Sequence, residues 1–192
     1  MIDPTASPQL LDVSTISAEA ALTQDGFSAV YRVEFPCVVN FLRRLGVYPA
    51  DLEDLTHDVF LTALRRRDTY DPGRPVRPWL FGIAYRLASD FKQLVRHSRE
   101  LPLDQTAEAA DTRLIPDEVA ALNQDRKLVL DSLARIDPVR RVVFVMHDIE
   151  GLPAPEIALA LDIPLGTAHS RLRQARIEFA AAVAALRQGG GR

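Results

Sequence analysis

The sequence predicts an all-α protein made of two small helical domains. Apolar residues recur every three or four positions along most of the 192 residues, and no alternating β-type run stands out. Prolines and glycines gather at the breaks between these stretches. Charge is also segregated, because residues 65–99 carry nine Lys/Arg and three Asp, whereas residues 100–125 carry seven acidic residues and one Arg. The acidic stretch therefore predicts a linker between two helical units.

Composition limits the other classes of protein. Hydrophobic residues make up 47% of the chain, which is enough for a packed core. Cys37 is the only cysteine, so no internal disulfide can form, and a reducing, cytoplasmic location is expected. The four histidines lack metal-ligand spacing, and no metal or other cofactor is expected. No apolar run reaches the roughly 20 residues that span a bilayer, and the acidic start is not a signal peptide, so no membrane insertion is expected.

The first domain is predicted over residues 22–99, after a flexible leader at 1–21. Its first helix should run from about 27 to 45, with a kink at Pro36. A second helix is predicted over about 50–66, with one apolar and one acidic side. A loop rich in Pro, Gly and Arg follows at 67–77. The third helix is predicted over about 78–99, with Pro78 as its first residue.

The second domain is predicted over residues 118–187, after the acidic, flexible linker at 100–117. Helices are expected over about 118–136 and 139–148, separated by Asp137-Pro138. A helix, a tight turn and a basic helix follow, and residues 188–192 should form a disordered tail.

The helix, turn and basic helix occupy residues 156–176. Pro164 cannot continue a helix and Gly166 tolerates unusual backbone angles, so the turn is predicted at 162–166, with Thr167 as the cap of the second helix. Small apolar residues of that helix share one face. The candidate DNA-contacting residues of this helix are Thr167, His169, Ser170, Arg171, Arg173 and Arg176. Such a helix can lie in a DNA major groove. The alternative is an ordinary helical hairpin with a solvated basic face.

Two pairs of motifs occur in a fixed order. The first pair is Ala50-Asp-Leu-Glu-Asp-Leu-Thr-His-Asp-Val-Phe60 and the run from Tyr70 to Ala84. The second is the run from Leu133 to Phe144 and the run from His147 through the basic helix. Together they closely resemble a bacterial RNA polymerase sigma factor of the extracytoplasmic-function (ECF) group, whose members consist of region 2 and region 4 joined by a linker. The resemblance covers about residues 22–187.

The resemblance implies a polymerase-binding helix. The matching residues are Asp51, Glu53, Asp54, Asp58 and Phe60. An acidic stripe suits that role if its partner is basic. The alternative is a solvated helix face with acidic residues placed favourably near the helix N-terminus.

The resemblance also implies two DNA-binding surfaces. Region 2 would capture a flipped base of the −10 promoter element, and region 4 would read the −35 element with the basic helix. The implied −10 residues are Tyr70, Arg74, Arg77, Trp79, Arg86, Lys92 and Arg96. Stacking on rings or guanidinium groups returns about 1–3 kcal/mol per base. The alternatives are a core role for Trp79 and a solvated face for the helical basic residues.

The chain departs from the family pattern at three places. Arg86 stands where an Asn is usual, which affects the −10 base preference. Asp162 stands where the turn usually has Gly, and Asp tolerates left-handed geometry better than most residues. Pro153-Ala-Pro155 replaces a commoner Ser-Tyr-Ala, which is compatible with a helix start.

The expected function is that of a promoter-specificity subunit without catalysis. Core RNA polymerase, promoter DNA and an anti-sigma factor are the implied partners, and the free chain should bind DNA weakly. One rival is a dimeric repressor or activator with a similar helix–turn–helix, which leaves the acidic helix unexplained. The other rival is an enzyme, but the chain has no Gly-rich phosphate loop, no His-Glu-x-x-His and no Ser elbow.

Overall fold

The computed structural model describes residues 24–99 and 117–189, and every regular element within these ranges is a helix or a helical turn. The all-α prediction is therefore confirmed. The expected leader at 1–21, nearly all of the linker at 100–117 and residues 190–192 lie outside the described ranges.

Three helices form the first domain: α1 (Gln24–Arg44), α2 (Leu52–Arg65) and α3 (Val76–Arg99). One-turn 3₁₀ helices, Pro49–Asp51 and Arg67–Thr69, precede α2 and α3. The three helices pack against one another around a core of aliphatic and aromatic side chains. Helix α1 continues through Pro36, whose position is exposed.

Helix α1 ends in a Schellman motif. Gly46 adopts a φ of 84°, the Gly46 N–H donates to the Arg43 carbonyl at 2.9 Å, and the Val47 N–H donates to the Leu42 carbonyl at 3.1 Å. Leu42 and Val47 are both buried, which supplies the hydrophobic contact typical of this motif. Gly46 is therefore needed for its left-handed backbone.

The second domain contains α4 (Asp117–Ala134), α5 (Pro138–Phe144), α6 (Ala154–Leu161) and α7 (Leu165–Gly189). Asp137 caps α5 by accepting from the Val139 N–H at 3.0 Å, and Pro138 takes the first helical position. A single π-helical turn, Val145–Ile149, continues α5. The long helix α7 packs on α4, α5 and α6.

The prediction for the turn between α6 and α7 was wrong in two details. Helix α7 begins at Leu165, so Gly166 and Thr167 lie in its first turn, and neither forms the break or the cap. The Pro164 carbonyl accepts from the N–H groups of Thr167 and Ala168 instead. The left-handed residue is Asp162, with φ 54° and ψ 52°. Asp162 can adopt this conformation because Asp tolerates left-handed backbone angles better than most residues.

The start of α3 also differs from the prediction. The helix begins at Val76, and Pro78 is its third residue. A proline is tolerated there because the first N–H groups of a helix have no intrahelical acceptor.

The two domains pack directly on each other. Helix α6 lies against α3, α4 touches α1, and the buried residues form one continuous cluster through both domains. The buried Arg141 joins them, since its guanidinium donates to the carbonyls of Leu45 at 3.0 Å, Ala134 at 2.8 Å and Ile136 at 2.9 Å. None of the described helices combines the length and apolar character that crossing a bilayer requires.

Candidate nucleic-acid interface

Helix α7 presents a basic face near its N-terminus. Its inner side is anchored by Ala168, Leu172 and Ala175, which are all buried. On the outer side, His169, Ser170, Arg173 and Arg176 are exposed, while Thr167 and Arg171 are half-buried. Among the described residues, no hydrogen bond or ion pair involves the guanidinium of Arg171 or Arg173. The predicted set of six residues therefore lies together, with two arginines available to an anion.

Arg176 differs from those two arginines because it is already paired. Its Nε and Nη2 donate to the two carboxylate oxygens of Asp148 at 2.8 and 2.6 Å. His147 Nδ1 lies 2.8 Å from the same carboxylate. The Arg176 and His147 hydrogen bonds hold the pKa of Asp148 below its usual range, against the opposing effect of partial burial. This bidentate pair fixes the orientation of α7 relative to the π-helical turn.

A second ion pair secures the other side of α7. Arg140 donates to Glu178 at 2.8 Å, and the Asp137 N–H donates to the same carboxylate at 3.3 Å. The Phe144 and Phe179 rings lie 4.8 Å apart between centroids. Both ends of α5 are thereby held against the middle of α7.

The loop before α3 is organised by Tyr70 and Asp71. The Tyr70 hydroxyl donates to the Arg74 carbonyl at 2.6 Å, and its buried ring lies 5.1 Å from the Trp79 ring. The Asp71 carboxylate accepts from the Gly73 N–H at 2.9 Å and from Arg74 Nε at 3.0 Å. These bonds lower the pKa of Asp71. The loop is therefore a closed turn that leaves the Arg74 guanidinium at the surface.

Two of the predicted −10 residues make bonds within the first domain. Arg77 forms two hydrogen bonds to Glu34, at 2.8 and 3.1 Å, and the Glu34 side chain is only 3% exposed. The hydrogen bond to Glu34 raises the pKa of Arg77. Lys92 donates to the Leu45 carbonyl at the end of α1. These contacts give both side chains a part in holding α3 against α1.

Trp79 and Arg86 lie at a cleft between the two domains. The cleft has a volume of about 410 Å³ and is lined by the 69–79 loop, by Arg86 and by α6 residues that include Glu156, Leu159 and Ala160. Trp79 is half-buried, whereas Arg74 and Arg86 are exposed. The side chain of Arg96 lies outside the described part of the chain.

The acidic side of α2 is solvent-accessible. Glu53, Asp54 and Asp58 are exposed and Asp51 is half-buried, as a binding face requires. Phe60 is different, because it is 3% exposed and packs with Phe27, Tyr31 and Phe35. The structure therefore places four of the five predicted polymerase-binding residues at the surface and the fifth in the core.

Sequence reasoning missed residues that the structure brings into these surfaces. Leu61 and Leu64 on α2 are 49% and 41% exposed, beside the acidic residues. Their positions outside the predicted apolar stripe could have indicated this. Glu34 could also have been found, since it stands four residues from both Val30 and Val38 on the buried stripe of α1. The role of Asp148 has no comparable signal in the sequence.

No group of three or more His, Cys, Asp or Glu side chains within residues 24–99 and 117–189 is arranged to hold a metal ion. The chemistry available at these surfaces is that of exposed arginines, aromatic rings and carboxylates.

Both domains match models of known protein families. Residues 30–99 match the family model described as Sigma-70 region 2, and residues 126–178 match Sigma-70, region 4. These two segments correspond to the first domain and to most of the second.

Several characterised relatives are similar over most of their length. The chain is 34% identical to the RNA polymerase sigma factor CarQ of Myxococcus xanthus, over 77% of this chain and 83% of that protein. It is 32% identical to the ECF RNA polymerase sigma factor SigL of Mycobacterium tuberculosis, over 83% and 87%.

Solved structures share the fold. The structure of CnrH in complex with the cytosolic domain of CnrY matches with a TM-score of 0.66 and 26% identity, covering 91% of this chain and 99% of that one. The Bartonella quintana sigma factor RpoE, solved with the anti-sigma factor NepR, matches with a TM-score of 0.59 at 18% identity, covering 82% and 96%. With its region 2 and region 4 in order and its helix–turn–helix intact, the chain belongs to the ECF group of RNA polymerase sigma factors.

Proposed function

We propose that the two domains divide promoter recognition between them and that the chain performs no catalysis of its own. Region 4 reads the −35 element as duplex, region 2 reads the −10 element as single strand, and the acidic face of α2 binds core polymerase. The first domain therefore binds both the −10 element and core polymerase, on different faces, and the second domain binds the −35 element.

The −35 surface is the N-terminal half of α7. Arg171 and Arg173 contact guanines or phosphates, while Thr167, His169 and Ser170 set the register of the helix in the major groove. Arg176 contributes a guanidinium whose position is set by Asp148. One observation supports this proposal above the others. The inner side of α7 is apolar and buried, and its outer side carries two arginines, Arg171 and Arg173, whose guanidinium groups make no hydrogen bond or ion pair with the described residues.

The −10 surface is the cleft beside Trp79. The indole ring, the neighbouring Tyr70 ring and the guanidinium groups of Arg74 and Arg86 offer stacking surfaces and positive charge to an unpaired base. Arg77 and Lys92 support this surface by holding α3 in place. Arg96 is included in the proposed set for its basic character in the sequence.

The polymerase surface is the exposed side of α2. Asp51, Glu53, Asp54 and Asp58 supply charge, and the exposed Leu61 and Leu64 supply apolar area. Phe60 supports this surface indirectly, because its buried ring packs α2 onto α1. A basic, partly apolar helical surface is the partner that this face fits.

An anti-sigma protein is proposed as a further partner, and the cytoplasm as the location. Support comes from CnrH, solved with the cytosolic domain of CnrY, and from RpoE, solved with the anti-sigma factor NepR.

The test is run-off transcription with bacterial core polymerase on a promoter library. Arg171→Ala and Arg173→Ala should each reduce use of the preferred promoters by about tenfold or more, since a lost base or phosphate contact costs about 1–3 kcal/mol. Arg187→Ala, an exposed arginine in the last turn of the same helix, is the control and should retain the wild-type promoter ranking. If both arginine variants keep that ranking, α7 is not the reading helix.

A further inference from the structure

Arg176 and Arg173 lie on the same side of α7 in different electrostatic states. Both follow His169 at helical spacing, so the three side chains line one outer side of the helix. The Arg176 side chain is 53% exposed, and its guanidinium is nevertheless bound by the Asp148 carboxylate. Arg173 has no such partner among the described residues. The two arginines therefore offer different chemistry to a ligand at this surface.

The bonds to Asp148 leave one edge of the Arg176 guanidinium free. Nε donates to Oδ2 of Asp148 at 2.8 Å and Nη2 donates to Oδ1 at 2.6 Å. His147 Nδ1 lies 2.8 Å from the same Oδ1 and 3.5 Å from Nη2, so the imidazole steadies the carboxylate from the side. No residue in the described part of the chain bonds to Nη1 of Arg176. The edge that carries Nη1 remains open to a ligand.

A guanidinium edge held in one plane suits a base better than a free arginine does. Two parallel N–H donors match the O6 and N7 acceptors of guanine in the major groove. An unpaired arginine must lose the rotamer freedom of its long side chain before it can present these donors. Asp148 has already fixed the plane of the Arg176 guanidinium in the folded chain, so the donors are oriented before DNA arrives.

The same pair is poorly suited to a phosphate. Arg176 and Asp148 together carry no net charge, and the carboxylate repels a phosphate that approaches the guanidinium. Release of counterions from DNA requires an arginine that neutralises a phosphate, which Arg173 can do. We infer that Asp148 is a positioning residue that makes Arg176 a reader of a guanine in the −35 element, whereas Arg173 binds the phosphate backbone.

This inference rests on the proposed function, because it takes α7 as the helix that reads the −35 element. The full chain would be assembled with core polymerase and equilibrated with duplex DNA that is randomised across the −35 element, and the bound fragments would be sequenced. Arg176→Ala should reduce the preference for guanine at one position on the order of tenfold. The slope of log affinity against log salt concentration should stay at the wild-type value. Arg173→Ala should instead make that slope shallower by about one and weaken binding to all sequences alike.

Asp148→Asn tests the positioning role directly. It keeps the shape of the side chain and removes its charge, so the guanine preference should fall nearly as far as in Arg176→Ala. The salt slope should steepen, because Arg176 becomes a free cation. In the double variant Asp148→Asn/Arg176→Ala, the loss of Asp148 should add no further effect on base preference. Glu178→Gln is the matched control, since Glu178 also ties α7 to α5 through Arg140, and it should leave the guanine preference unchanged.

Two results would overturn the inference. One is an Arg176→Ala holoenzyme that keeps every base preference of the wild type. The other is a loss of guanine preference in Glu178→Gln as large as that in Asp148→Asn, because the carboxylates would then only hold the helix in place. Failure of the proposed function looks different, since Arg173→Ala would then leave both the affinity and the salt slope unchanged as well.

Discussion

The carboxylate of Asp148 accepts both hydrogen bonds that the guanidinium of Arg176 directs toward it, at 2.8 and 2.6 Å. Asp148 belongs to the π-helical turn after α5, and Arg176 belongs to the basic helix α7. A single π-turn within a helical segment is frequently found at functional sites. Here the turn carries the residue that orients an arginine of the proposed DNA-reading helix.

This pair predicts an abnormal titration of Asp148. Because the folded-state pKa lies below that of the unfolded chain, about 3.9 for an aspartate, the pair contributes its stability above that value. The contribution is lost as the pH falls through the lowered pKa of the folded state. Carboxyl-carbon NMR should show that Asp148 titrates below the ordinary value for an aspartate.

The Arg176→Ala variant should bring the Asp148 titration back toward the ordinary value. Arg173→Ala, with an arginine that makes no bond to Asp148, is the control and should leave the titration unchanged. An unaltered Asp148 titration in Arg176→Ala would show that the pair does not form in solution.

The Glu34–Arg77 pair predicts a marked loss of stability in the first domain. Removing one partner of a buried ion pair costs about 3–5 kcal/mol, and about 2 kcal/mol is expected here because the Arg77 side chain is 33% exposed. Glu34→Ala should lower the free energy of unfolding by that amount in urea denaturation. Glu53→Ala, at an exposed position, should change it by less than about 0.5 kcal/mol. Equal stability of the two variants would contradict a structural role for Arg77.

Much of the fold could be predicted from helical periodicity and helix-breaking residues. The break at Asp137-Pro138 and the glycine end of α1 are local effects of backbone chemistry, and both lie where the sequence placed them. The turn before α7 shows the limit of this reasoning. The left-handed geometry of Asp162 agrees with its expected tolerance, but the turn was predicted to extend to Gly166 with Thr167 as the cap, whereas α7 begins at Leu165. Where a helix stops depends on packing as well as on propensity.

The candidate surfaces were less predictable because partners far apart in the sequence decide them. Arg77 and Arg171 look alike in sequence, but Arg77 meets a buried carboxylate 43 residues away and Arg171 meets none among the described residues. Phe60 follows an acidic stripe and is nevertheless covered by aromatic rings of α1. The close approach of Gly82 on α3 to Ala160 on α6 depends on the packing of two domains, which no local pattern encodes.

Trp79 predicts a direct spectroscopic signal. It is the only tryptophan in the chain and stands half-buried at the cleft. In holoenzyme reconstituted with core polymerase carrying non-fluorescent tryptophan analogues, promoter opening should quench its emission as a base stacks on it. Trp79→Phe should retain part of the affinity for opened DNA. Trp79→Ala should weaken the free energy of binding to opened DNA by about 1–3 kcal/mol. Tyr48→Ala, at an exposed position outside the cleft, is the control. Unchanged emission on opening would place Trp79 outside the DNA path.

Helix α2 predicts two separable effects. Asp54→Lys and Asp58→Lys change exposed charges, so they should weaken binding to core polymerase in a salt-dependent manner and leave the melting temperature nearly unchanged. Phe60→Ala removes a buried ring from an aromatic cluster and should lower the free energy of unfolding by about 3–5 kcal/mol. The two effects are separated by two measurements. One is the binding of each variant to surface-immobilised core polymerase at two salt concentrations, and the other is the thermal unfolding of the free variant. The outcome that would contradict this assignment is a Phe60→Ala chain that remains fully stable and loses only polymerase binding, because Phe60 would then act at the surface.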